Sequence, residues 1–168
     1  MNFHIWLWYT WVNNFAYILE VRIVPDQHSN KHNILCLTLP IPPGINEQYA
    51  TVHGHRVSTA VARRFKQEVK QKLAALEREG ILNEELRQSL HQGFISLLLA
   101  FYFETPLKRD LDGGLKIAQD ALCEGLGLND NRVVSIHLLK YIDPLHPHLD
   151  VEIEALDDWR FDEEYKLL

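Results

Sequence analysis

The order of apolar and polar residues divides the chain into segments of different period. "NILCLTL", from Asn33, reads as a strand and is stopped by "PIPPG", because proline has no N–H to give a ladder. "INEQYATVHGHRVS" places a His-Gly turn between β-prone residues and predicts a small hairpin. From Ser58 the period lengthens. Val61, Phe65, Val69, Leu73 and Leu76 recur at helical spacing, which predicts a helix capped by Ser58, running to about Glu79 and closed by Gly80. Asn83 opens a shorter helix, "EELRQSLHQ", ended by Gly93. Phe94 to Glu104 is an apolar run expected to form a strand buried on both faces. Asp112 suits a helix N-cap, and Leu115, Ala118 and Leu122 supply an apolar stripe ending at Gly125. "LGLNDNR" reads as a turn. "VVSIHLLKYI" and "LDVEIEAL", joined by "DPLHPH", are expected to pair as a C-terminal antiparallel hairpin. The fold class is therefore α+β: a small mixed sheet with helices packed on it.

These elements fill residues 34–156, one domain in a chain of 168 residues. Residues 1–33 form an N-terminal extension and 157–168 an acidic C-terminal tail. The extension carries Trp6, Trp8 and Trp11 and no charge before Glu20. Thr10 and Asn13-Asn14 interrupt it, so it lacks the roughly 20 apolar residues a spanning helix needs. It also shows neither the basic start nor the cleavage site of a signal peptide. Three readings stay open: an extra strand pair, a membrane-surface segment, or upstream sequence introduced by a misplaced start codon.

Composition is that of an ordinary globular protein, with 46% hydrophobic and 24% charged residues. The net charge of -6 taken alone argues against nucleic acid as a partner. Its distribution changes that picture. Seven acids lie beyond Val151 against Arg160 and Lys166, whereas His53 to Lys72 holds six basic residues and one acid, Glu68. A basic stretch and an acidic tail cancel in the total. Cys36 and Cys123 form no zinc or disulfide pattern and read as reduced thiols of a cytoplasmic protein, with no membrane partner expected. His137, His146 and His148 read as packing or surface histidines, since "HPH" lies in a proline-broken loop without a cysteine nearby.

The segment "KRDLDGGLKIAQDAL" carries the chemistry. In extended chain Asp110 and Asp112 point the same way. Two carboxylates so close repel, and a divalent cation removes the conflict. Mg²⁺ takes oxygen ligands, accepts one or two protein carboxylates and keeps positions for water and phosphate. Lys116 lies one helical turn after Asp112, where it can contact a phosphate oxygen or orient an attacking water. Asp130 is the expected third carboxylate, carried by helix and strand toward the sheet end where Asp110 sits. Asp120 competes for that role but lies about 12 Å from Asp112 along the helix. Each residue also has a plainer reading: Asp112 as a cap, Lys116 as its i,i+4 partner, Asp130 as a turn former.

The ensemble "RDLDGGLK…DAL…G…ND..V", after a strand, resembles the RusA family of Holliday junction resolvases. That family's pattern is Asp-Leu-Asp-Asn-x-x-Lys, then Asp-Ala-Leu, a Gly, and an Asp-Asp or Asn-Asp pair before a strand. "LTLPIPPGINEQY" is similar to its opening strand and Pro-x-Pro-Pro-x-x-Asn-x-x-Tyr signature, here Pro40, Pro42, Pro43, Asn46 and Tyr49. The resemblance covers roughly Leu37 to Leu156. It implies a RusA-like homodimer that binds four-way DNA junctions and cuts two strands with Mg²⁺. By matching position, Asp110, Asp112 and Asp130 would be the metal-binding carboxylates and Lys116 the catalytic lysine. Asn46 either shapes the turn after the prolines or, as the signature implies, touches DNA. Gly113 replaces the family's Asn after the second Asp, and residues 83–92 look like an insertion.

The basic residues Arg63, Arg64, Lys66 and Lys70, with Lys108 and Arg109, are candidates for tracking the DNA backbone; the plainer reading of the first four is a solvated helix face. The expected function is a Mg²⁺-dependent, structure-specific endodeoxyribonuclease of recombination and repair. The alternatives are a junction-binding protein that cuts weakly and another divalent-metal phosphotransfer enzyme.

Overall fold

The computed structural model describes residues 11–12, 15–16, 33–156 and 158–160. The chain divides into two units, 1–31 and 32–168. In the first, β1 (Trp11–Val12) pairs antiparallel with β2 (Phe15–Ala16). The rest of the N-terminal extension and most of the acidic tail lie outside the described residues.

In the second unit, β3 (Ile34–Leu39) is followed by a short helix, α1 (Ile45–Gln48), and the hairpin β4 (Tyr49–Val52) and β5 (His55–Ser58). The hairpin turn needs positive φ at both central residues, and His53 (50°) and Gly54 (79°) supply it. Next come α2 (Ala60–Arg78), α3 (Glu84–Gln92), β6 (Phe94–Phe103), α4 (Leu115–Leu126), β7 (Val133–Ile142) and β8 (His148–Leu156). Among the described residues no helix is long and apolar enough to cross a membrane.

The mixed sheet has the order β3-β8-β6-β7. β6 pairs parallel with β7 and antiparallel with β8, and β3 pairs antiparallel with β8. The mixed α+β architecture is as expected. The last two strands do run in opposite directions, but they do not pair with each other, because β6 lies between them. The ten-residue β6 has two long edges to satisfy, and the β6–α4–β7 crossover fills one while β8 fills the other.

Burial alternates along β3 and β8, the pattern of a sheet covered on one face. The core joins the inward residues of these strands and β6 to Phe65, Val69, Leu73 and Leu76 of α2 and Ile117, Ala118, Ala121 and Leu122 of α4. β6 is fully buried on one face only. On the other, Tyr102 is half-buried and stacks between Tyr141 (4.9 Å) and His148 (4.2 Å). That stacking gives His148 the packing role expected for it.

Helix ends shift by one or two residues from the sequence pattern. Thr59, not Ser58, caps α2, accepting from the Ala62 N–H at 3.2 Å. Ala62 takes the buried position expected of Val61, which is 56% exposed. Asn83 caps α3 as expected, and α4 ends at Gly127 rather than Gly125. Asp112 does not cap α4; Gly114 stands at the cap with no side-chain bond. The close approach of the proline loop explains this, because a Cβ on residue 114 would lie 2.5 Å from Pro42 Cγ. The Asp112 carboxylate is thus left out of the helix terminus.

Candidate active site

The loop between β6 and α4 leaves the C-terminal end of the central strand and carries Lys108, Arg109, Asp110 and Asp112. The residues just after β3 face it. Together they enclose a cleft of about 350 Å³, lined among others by Asn46, Glu47, Lys108, Arg109 and Asp110. Phe101 and Phe103 form its apolar wall. The structure therefore gathers four residues singled out in the sequence, Asn46, Lys108, Arg109 and Asp110, around one opening.

Arg109 is held across this opening. Its Nη1 donates to the Pro42 carbonyl at 2.6 Å, and Nη2 lies 3.6 Å from the Glu47 carboxylate. Glu47 also accepts from the Gly44 N–H at 2.9 Å. Lys108 pairs with Glu104. Both cations have intramolecular partners, yet both remain partly exposed at the cleft.

Lys116, in the first turn of α4, does not pair with Asp112. It contacts Asp120, one turn on, at 2.6 Å and Asp130 at 3.2 Å. These hydrogen bonds, Asp120 first, raise the lysine pKa above its ordinary value and keep the group an ammonium. Asp130 opens a short 3₁₀ turn, Asp130–Arg132, capped by the Asn129 side chain. The route that brings it near differs from the expectation. Val133 pairs with the start of β6, opposite Ile95, whereas Asp110 follows the other end of that strand. The strand does not deliver Asp130 to that end. The turn after α4 and the length of the Lys116 side chain make the connection.

Asp110, Asp112 and Asp130 do not form a ready-made cage. Among the described residues, no group of three or more His, Cys, Asp or Glu could hold a metal ion as it stands. The donor set nevertheless suits Mg²⁺, which is held through one or two carboxylates with water and substrate oxygens completing the shell. Asp110 and Asp112 offer two hard oxygen donors on one exposed loop. Cys123, buried in α4, stays a thiol: burial first, then the Asp130 and Asp120 charges, pushes it up to about 11.

The basic face of α2 is committed elsewhere. Lys66 and Lys70 both pair with Glu124 of α4, at 3.0 and 2.7 Å. Arg64 pairs with Glu68 at 3.0 Å, and Arg63 bonds the Ser58 carbonyl. None of the four lines the cleft. Sequence reasoning missed Glu47, Gln48, Glu124 and Lys140, whose partners lie far away in the chain or have no periodic signature.

A cleft with carboxylates and cations at the end of a central strand is a surface suited to phosphodiesters. The family described as endodeoxyribonuclease RusA matches residues 40–154, well over half of the sequence, and the chain belongs to that family. Membership implies an endodeoxyribonuclease acting on Holliday junctions. Among curated proteins, none matches the chain.

Proposed function

We propose that the protein is a Mg²⁺-dependent resolvase that cuts four-way DNA junctions in recombination and repair, with Asp110, Asp112 and Asp130 as metal ligands and Lys116 as the catalytic lysine. The observation that carries this reading is the loop itself. It presents Asp110 at a cleft and the exposed Asp112 two residues on, while one ammonium links the start of α4 to Asp130. Mg²⁺ bound there would supply charge neutralisation at the scissile phosphate and acidify an attacking water.

The chain's own residues do the rest. Lys116 stays protonated and stabilises the charge that builds on phosphate oxygens. Asp120 and Asp130 hold its ammonium in place. Arg109 and Lys108 contact flanking phosphates, and Asn46 offers an amide to the strand at the cleft. These contacts fix register, while junction shape gives selectivity. Arg63, Arg64, Lys66 and Lys70 serve a more distant arm once their intramolecular pairs exchange for phosphate.

A twofold homodimer provides two such sites in matching orientation. β7 supports this state: it is an edge strand of ten residues with Ile136, Leu139 and Ile142 exposed. Sedimentation would show a dimer. The functional test is a synthetic four-way junction incubated with the protein in Mg²⁺ or EDTA, beside a linear duplex of the same sequence. Paired nicks in Mg²⁺ only, on the junction only, are expected. A gel shift without nicks in either condition would leave a junction-binding protein instead.

A further inference from the structure

The loop that carries Asp110 and Asp112 has no regular secondary structure, yet its backbone is held at both ends by side chains from elsewhere in the fold. Lys140, on β7, donates from Nζ to the carbonyls of Pro106 and Arg109, each at 2.8 Å. The same ammonium lies 5.4 Å from the Phe103 ring. On the other side, Gln48 Nε2 donates to the Gly113 carbonyl at 3.3 Å and the Pro43 carbonyl at 3.1 Å. Gln48 is the one buried polar side chain among the described residues, at 3% exposure. A buried amide keeps its bonds, because losing them strands a desolvated donor. Within the loop, the Asp110 backbone carbonyl accepts from the Gly113 N–H at 3.3 Å and the Asp112 carbonyl from the Leu115 N–H at 3.0 Å. Backbone contacts thus bracket the two aspartates while their side chains stay at the surface.

We propose that Lys140 and Gln48 are positioning residues that clamp the backbone on either side of Asp110 and Asp112 and set the spacing of those carboxylates for a divalent cation. This rests on the metal-site reading above. Neither residue touches the reacting atoms. They act through the loop, as supporting shells do around metal ligands.

The test is Mn²⁺ binding to the full-length protein, followed by electron paramagnetic resonance without DNA. Mn²⁺ shares the carboxylate and water preference of Mg²⁺. Wild type is expected to bind and Asp110→Asn to lose binding. Lys140→Met and Gln48→Met should each weaken it by about tenfold, and Lys140→Arg should restore it. Lys140→Met should leave the melting temperature and the junction affinity in EDTA unchanged. Since Gln48 is buried, Lys140→Met carries the test if Gln48→Met does not fold. Wild-type Mn²⁺ affinity in Lys140→Met, with Asp110→Asn still defective, overturns the clamp and spares the metal site. Weaker junction binding in EDTA by Lys140→Met would make Lys140 a phosphate contact and overturn the clamp. Unchanged affinity in Asp110→Asn removes the metal site, and the clamp with it.

Discussion

Lys116 and Asp130 meet at 3.2 Å across fourteen positions of sequence, and Asp120 reaches the same ammonium from within α4. The pairing ties the start of α4 to the turn before β7 through one side chain.

The first prediction follows from that contact. Lys116→Met is expected to slow junction cleavage by about 10²- to 10³-fold, the usual loss for a group stabilising transition-state charge. Its side chain is 61% exposed, so stability should change by no more than about 1 kcal/mol. Single-turnover cleavage beside urea denaturation checks this. A large fall in stability with little change in rate would assign the lysine a structural role.

Gly114 supplies the second. A Cβ there meets Pro42 Cγ at 2.5 Å and Phe101 at 3.3 Å. The proline ring cannot swing aside as a flexible chain would, so Gly114→Ala should cost about 1–3 kcal/mol through overpacking. Equilibrium urea unfolding measures it. Gly125→Ala is the control: its Cβ also meets a neighbour at 2.5 Å, but that neighbour is a terminal methyl of Leu73, which can change rotamer as a proline ring cannot. It should cost less, and equal losses at the two sites would contradict the argument.

Much of this arrangement was legible in the sequence, and the reasons differ by element. The apolar run of β6, the His-Gly hairpin and the Asn83 cap are local features, set by period and turn chemistry. The pairing of β6 with both β7 and β8 is not local. Two strands joined by a short loop look like a hairpin until the need to cover both edges of β6 is known. Asp110 and Asp112 stood out because like charges two apart demand an explanation. Glu124 did not, because its partners Lys66 and Lys70 lie 58 and 54 positions away. Asp130 reaches Lys116 through the turn after α4 and the reach of the lysine side chain, which no periodic pattern encodes.

Glu124 gives the third prediction. The bonds from Lys70 and then Lys66 lower its pKa from 4.5 to about 2. A carboxylate depressed on folding stabilises the protein above its unfolded pKa, and that contribution fades as pH falls through the folded value. The α2–α4 clasp is therefore complete above about pH 4.5 and lost toward pH 2. Glu124 is 46% exposed, so the contribution is about 1 kcal/mol or less. Thermal melts of wild type and Glu124→Gln should differ at pH 7 and converge as pH falls below 4.5. A gap that widens on acidification would contradict the linkage.

The most direct measurement compares wild type with Asp110→Asn on one four-way junction, scoring nicking in Mg²⁺ and binding in EDTA on parallel gels. Paired nicks are expected from wild type, none from the variant, and the same junction shift from both. A variant that still cuts would remove Asp110 from the chemistry. One that fails both to cut and to bind would make that carboxylate a support of the fold.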